Sequence, residues 1–188
     1  MDTLTAALIA GLLPGAGEPP PADGRRRAAV AALLCDLDGP RVLLMRRAER
    51  AGDPWSGHVA LPGGRHEPHD ADLRATAVRE AAEELGLALD GARYLGRLAP
   101  LHPRTAGPDG VEVTPYVFAV DAPPPITLSP EAAAAFWLPL HAVRAGALDG
   151  RYDYPGPPPL TFPCWRYDGH VVWGLTMRIL ADLLALAR

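Results

Sequence analysis

Apolar and polar positions divide this chain into short elements of changing period. "AAVAALLCDL" and "PRVLLMRR" are apolar runs separated by "DG", which predicts a β-hairpin turning at Asp38-Gly39. A polar loop, "AERAGDPWSGH", a short "VALPGG" and another loop, "RHEPHD", come next. The pattern then predicts a helix from about Ala71 to Leu85, with Asp70 as N-cap and Gly86 as the residue that stops it. "ARYLGRLAPL" and "VEVTPYVFAV" read as strands joined by "HPRTAGPDG". A proline-rich bend, Pro123 to Pro125, leads into "LSPEAAAAFWLPLHAV", which suggests a short helix or two, and "RYDYPGPPPL" reads as irregular. A last hairpin, "PCWRYDGHVVW", turns at Asp168-Gly169, and "LTMRILADLLALA" closes the chain as a helix. Strands around a central helix, with another helix at the end, predict a mixed α/β domain dominated by β pairing. No internal repeat is visible.

The opening reads differently. "LTAALIAGLL" suits a short amphipathic helix packed on the domain, and "LLPGAGEPPPADGRRR" is a linker by its Pro and Gly content. The expected organisation is a helix and linker over 1–24, then a single domain over 25–188. The opening stretch is too short to span a bilayer and follows an acidic Asp2 rather than a basic region, so neither a signal peptide nor a membrane anchor is expected.

Composition narrows the function classes. A chain of 188 residues, 48% hydrophobic, can bury a real core, and a net charge of −4 with mixed signs argues against an electrostatic nucleic-acid binder. There is no lysine, so a GxxxxGK[ST] phosphate loop is impossible, and all 18 basic residues are arginine. Ser56 and Ser129 lie outside any GxSxG, and no GxGxxG opens a helix, which disfavours a serine hydrolase and a dinucleotide-dependent oxidoreductase. Cys35 and Cys164 are far apart with no CxxC, which fits a reducing, cytoplasmic setting rather than a zinc site or a disulfide framework.

"REAAEELG" raises the central question. Glu80, Glu83 and Glu84 gather near the negative end of a helix, where like charges one turn apart repel by roughly 0.2–0.5 kcal/mol per pair and oppose the dipole. At 100° per residue, Ala77, Val78, Ala81, Ala82 and Leu85 form an apolar arc, with Thr76, Arg79, Glu80, Glu83 and Glu84 on the other. Such a run is usually a solvated face. The glycine pair Gly63-Gly64 before the helix offers a second reading, in which backbone carbonyls join the carboxylates around a hard divalent cation.

"GGRHEPHDADLRATAVREAAEELGL" resembles the Nudix box, Gly-x5-Glu-x7-Arg-Glu-U-x-Glu-Glu-x-Gly-U with U apolar. Gly64, Arg79, Glu80, Glu83, Glu84, Gly86 and Leu87 fall on it; Asp70 replaces the first Glu, the next spacer has eight residues, and Ala81 is a small U. The Asp and the longer spacer resemble the box of the coenzyme A pyrophosphatases within this superfamily. "LLMRRAERAGDPWSGHVALPGG" is similar to their upstream signature at Leu43, Leu44, Arg47, Ala48, Gly57 and Pro62-Gly63-Gly64, with Met45 for Thr, Leu61 for Phe, one extra residue and the second Arg absent. "VVWGLTMRIL" resembles their tail.

The resemblance implies the Nudix fold, an α+β arrangement with a mixed β-sheet sandwiched between helices. It also implies hydrolysis of a diphosphate bond in a nucleoside diphosphate linked to another moiety, with Mg²⁺ or Mn²⁺ as cofactor. Coenzyme A is the favoured small-molecule substrate, giving 3′-phosphoadenosine 5′-phosphate and 4′-phosphopantetheine; ADP-ribose, NADH or a modified nucleoside triphosphate are the rivals. A nucleotide-binding regulator without turnover is a further alternative. Glu80 and Glu84 would be the principal metal ligands, with Glu83 assisting and Gly64 giving its carbonyl. Arg79 would orient a box glutamate through a bidentate ion pair. Glu131 is the candidate general base, against an ordinary first-turn glutamate after Ser129-Pro130. Arg46, Arg47, Arg50 and Arg65 could meet substrate phosphates, and Trp55 could stack on an adenine or pin its loop. His58, His66 and His69 lack HExxH spacing and are assigned no metal. Related enzymes are commonly dimers, which leaves a homodimer open.

Overall fold

The computed structural model describes residues 11–13, 25–53, 55–103, 110–155 and 158–187. The expected opening helix and linker, and much of the "HPRTAGPDG" loop, lie outside them. Of the opening segment, Leu12 is buried in the core and Leu13 exchanges backbone hydrogen bonds with Arg97.

Strands β1 (Arg27–Asp36) and β2 (Pro40–Arg47) form the predicted hairpin, with Leu34 opposite Val42. Its turn needs two residues at positive φ, and Asp38 and Gly39 supply them at 52° and 106°. Strand β1 is buried along nearly its whole length, so its apolar run is continuous rather than alternating. It pairs in parallel with β6 (Glu112–Val120) and antiparallel with both β2 and β4 (Gly63–Arg65). Strand β5 (Arg93–Arg97) borders β6, and β3 (Val59–Ala60) and β7 (Ala132–Pro139) both pair with β2. The result is a mixed sheet.

Each face of that sheet carries its own core. Ala29, Ala31, Leu33, Leu43 and Met45 pack against Leu73, Ala77, Ala81 and Leu85 of helix α1 (Leu73–Leu85), with alanines allowing close approach. Ala32, Leu34, Val42 and Leu44 point the other way, toward Ile179, Leu180 and Leu183 of the last helix. Between β7 and the final helix lie the short α2 (Leu140–Arg144) and an antiparallel sheet of β8 (Asp149–Tyr154), β9 (Leu160–Tyr167) and β10 (His170–Trp173). The last helix is α3 (Gly174–Ala185). A mixed sheet between helices is the α+β architecture expected from the sequence. Among the described residues no helix is long and apolar enough to cross a membrane.

Three expectations need correction. The alanine run after Glu131 forms β7, and only Leu140–Arg144 is helical. Its backbone pairs with β2 from Pro139 opposite Arg41 to Ala132 opposite Arg47, and that pairing overrides alanine's helix preference. "RYDY" is not irregular but lies in β8, where Tyr152 and Tyr154 are half-buried and Arg151 and Asp153 exposed. Helix α1 starts two residues later than predicted, capped by Asp72, whose Oδ1 accepts the Ala75 N–H at 2.7 Å. Its C-terminus follows the prediction: Gly86 adopts φ 64°, its N–H donates to Ala82, and Leu87 N–H donates to Ala81.

Replacing Asp72 with alanine is expected to cost about 1 kcal/mol and to lower the thermal midpoint by a few degrees. An unchanged midpoint in thermal denaturation would move the helix start back to Asp70.

Candidate active site

The site is built where the β4 glycines approach the C-terminal half of α1. Gly63 has φ 154°, and a Cβ there would overlap the Ala29 carbonyl oxygen. A Cβ on Gly64 would overlap the Glu80 carboxylate. Position 63 therefore requires glycine, and a side chain at Gly64 would displace the Glu80 carboxylate from its present place against the backbone. Gly63 N–H donates to Glu84 Oε2 at 2.9 Å.

Glu84 belongs to the inward arc of α1, not to the outward one drawn from the sequence. The buried positions are Leu73, Thr76, Ala77, Ala81, Glu84 and Leu85, whereas Ala82 is exposed. Burial is the main reason that the Glu84 carboxyl is pushed up to about 7; Glu80 and Glu131 add to it, and the Gly63 N–H and Arg47 oppose it. The Glu80 carboxyl is also raised, first by burial, then by Glu83 and Glu131, against the pull of Arg79. Desolvation, more than like-charge repulsion, makes this acidic face costly. A rise from the ordinary 4.5 to about 7 corresponds to roughly 3 kcal/mol between protonation states, several times an exposed i,i+4 repulsion.

Arg79 organises the remaining acids. Its Nε and Nη2 donate to Asp70 Oδ1 and Oδ2 at 2.8 and 3.0 Å. Nη1 donates to Glu80 Oε1 and Glu83 Oε2 at 3.0 and 2.9 Å, and Nη2 also reaches the Arg65 carbonyl at 3.0 Å. Five N–H groups meet five acceptors. The bidentate partner is thus Asp70 and not a box glutamate as expected. Asp70 also accepts from the Thr76 hydroxyl and the Glu67 N–H, and Arg79 holds its carboxyl far below the usual range. Neither the Asp70–Arg79 fork nor the role of Thr76 was read from the sequence. The available signals were Asp70 at the first acidic position of the box and a threonine at helical spacing from Leu73 and Ala77.

Residues 25–155 match the NUDIX domain family. The chain belongs to the Nudix family. It is 35% identical over 167 residues to the uncharacterized Nudix hydrolase NudL of Yersinia pestis (strain Pestoides F), spanning 86% of this chain and 79% of that one. The crystal structure of the Nudix hydrolase RenU from M. smegmatis superposes with a TM-score of 0.54 at 24% identity, over 64% of this chain and 74% of that one. The MutT Nudix hydrolase of Burkholderia pseudomallei does so at 0.51 and 24%, over 85% and 98%. These two likenesses show the fold.

Within this Nudix domain, the other predicted residues divide. Glu131 lies within electrostatic reach of Glu80 and Glu84, and its Oε1 accepts from Arg50 at 3.1 Å. Its carbonyl accepts the Ala48 N–H, which ties it to the end of β2. Arg47 pairs with Asp53 at 2.8 Å, and its Nε is buried without a hydrogen-bond partner among the described residues. The Arg65 side chain is exposed. Arg46 continues the Val42–Leu44 row on the sheet face opposite α1, so it does not join these acids. Trp55 is 40% exposed, with its ring edge against His58 and its backbone N–H donating to Asp53 Oδ1. His66 Nδ1 lies 3.0 Å from Thr76 Oγ1.

Nudix hydrolases use divalent metal ions, and the donor chemistry here fits one. Glu80 and Glu84 are hard oxygen donors whose charged forms burial disfavours, next to a bare glycine backbone. Among the described residues no three acidic, histidine or cysteine side chains converge into a ready-made cage, and Arg79 engages Glu80 and Glu83 instead.

The raised Glu84 carboxyl sets a pH signature. The folded state holds this proton more tightly than the unfolded chain, so the stabilising contribution is present below about 4.5 and lost as pH rises through about 7. Metal-free protein is therefore expected to lose more thermal stability between about pH 5 and pH 8 than a Glu84→Gln variant, which should be at least as stable at the upper end. Marked destabilisation of the metal-free variant would refute this account of the acidic face.

Proposed function

We propose that this Nudix hydrolase is a Mg²⁺- or Mn²⁺-dependent coenzyme A pyrophosphatase. It splits the diphosphate of coenzyme A or a derivative into 3′-phosphoadenosine 5′-phosphate and 4′-phosphopantetheine. The carrying observation is the desolvated Glu80–Glu84 pair against the Gly63-Gly64 backbone of β4. The likeness of "LLMRRAERAGDPWSGHVALPGG" and of the Asp70 box spacing to coenzyme A pyrophosphatases supports the substrate. Free, buried Cys35 and Cys164 support a reducing, cytoplasmic setting.

Glu80, Glu84 and the Gly64 carbonyl would hold the cation, with Glu83 assisting from the rim. A bound dication supplies charge neutralisation for the diphosphate and acidifies water beside it. The protein's own residues do the rest. Arg79, locked by Asp70, keeps Glu80 and Glu83 oriented. Arg47, whose charge reaches Glu84, and Arg65 at the rim would add positive charge for the phosphates. Arg50 pairs with Glu131 at the mouth of the site. Once a phosphate draws Arg50 away, the Glu131 carboxylate is free to accept a proton from the attacking water.

A chromatographic screen of coenzyme A, ADP-ribose, NADH and 8-oxo-dGTP with added metal tests the substrate. Cleavage of coenzyme A to the two named products is expected; cleavage of ADP-ribose alone would remove that substrate and keep the hydrolase. Glu84→Gln should lose several orders of magnitude in rate. Retained turnover in that variant would remove the metal-ligand role.

A further inference from the structure

A second recess lies on the opposite face of the sheet from the acids. A pocket of about 230 Å³ opens where the end of β2, β3 and the small sheet meet. Arg46, His58, Val59, Tyr152, His170 and Trp173 line it. The strand pleat separates it from the active site. Arg46 stands opposite Val59, which belongs to the α3-side core, whereas Arg47 acts on Glu84.

Two features of the recess point to a ligand. Arg46 is half-buried and has no hydrogen-bond or ion-pair partner among the described residues, although Arg47 and Arg50 both hold carboxylates. A half-buried arginine at the lip of a pocket, with no carboxylate engaged, leaves its donors available to an anion. The walls are aromatic, and their rings pack on one another and on two rings behind them. Trp173 lies 4.6 Å from Tyr152, 5.1 Å from His58 and 5.5 Å from Phe162, and His170 stacks flat on Phe136 at 4.1 Å. Burial pushes the His58 and His170 imidazoles below the ordinary range, so both present uncharged rings near neutrality. The volume is below that of a whole-ligand cleft and suits a single ring system.

We propose that this pocket binds an adenine-type nucleotide, with the ring against Trp173 and Tyr152 and a phosphate against Arg46. The occupant is either the nucleoside end of the diphosphate substrate or a separate nucleotide; the recognition chemistry is shared. The substrate assignment above enters only the first of these. Neutral rings provide stacking that any base can use, and Arg46 provides the anion requirement.

Calorimetric titration of the full chain with adenosine 5′-monophosphate, and with adenosine alone, tests the proposal. Arg46→Ala should weaken the monophosphate roughly tenfold or more and leave adenosine nearly unchanged, whereas Trp173→Leu and Tyr152→Leu should weaken both. Tyr152→Leu keeps the test available if the tryptophan variant fails to fold. Absence of binding to the wild type, or binding indifferent to all three substitutions, overturns the proposal. If the occupant is the substrate's own end, the variants raise KM with kcat little changed, and the monophosphate competes with substrate. If it is a separate nucleotide, the monophosphate still binds when the active site is saturated. Because binding is read without turnover, failure of coenzyme A cleavage and failure of this pocket give different results.

Discussion

The Arg79 guanidinium and the buried Asp70 carboxylate hold the site together. Asp70 precedes α1 and Arg79 lies midway along it, so their fork pins the entering loop to the helix. The same guanidinium fixes Glu80, Glu83 and the Arg65 carbonyl, and so sets where β4 meets the helix. With the Asp70 side chain only 3% exposed, loss of Arg79 leaves a buried carboxylate without its cation, at a cost of about 3–5 kcal/mol.

That constraint explains how the chain sustains a destabilising arrangement nearby. Glu80 and Glu84 are pressed into a poorly hydrated corner because Gly63 and Gly64 lack side chains and because the Arg79 fork holds the helix there. Both carboxyls shift upward for the same reason, desolvation. Stability is spent locally to keep hard oxygen donors poorly hydrated, a pattern expected of a site rather than of a solvated helix face. The sheet then segregates functions. Consecutive residues Arg46 and Arg47 emerge on opposite faces, one toward an aromatic recess and the other toward the acids.

Much of the fold was legible where local chemistry decides. Asp38-Gly39 and Asp168-Gly169 turn hairpins because both residues of each pair tolerate positive φ, and Gly86 ends α1 for the same reason. Strand β7 was not legible, since Ala132 to Ala135 favour a helix and only pairing with β2 holds them extended. In β8 a period of two was present in "RYDY" but masked by the prolines after it. The start of α1 slipped because Asp70 and Asp72 are both competent caps, and Asp70 was already committed to Arg79.

By itself the sequence determined the Nudix family, the α+β class and the identities of the acids, because spacing along one helix and two flanking glycines are local properties of the chain. Tertiary structure alone decided which acid is buried, which carboxylate grips Arg79, and that Arg46 and Arg47 serve different faces. Burial and ion pairing depend on what the rest of the fold brings alongside, and a helical wheel does not contain the sheet that covers it.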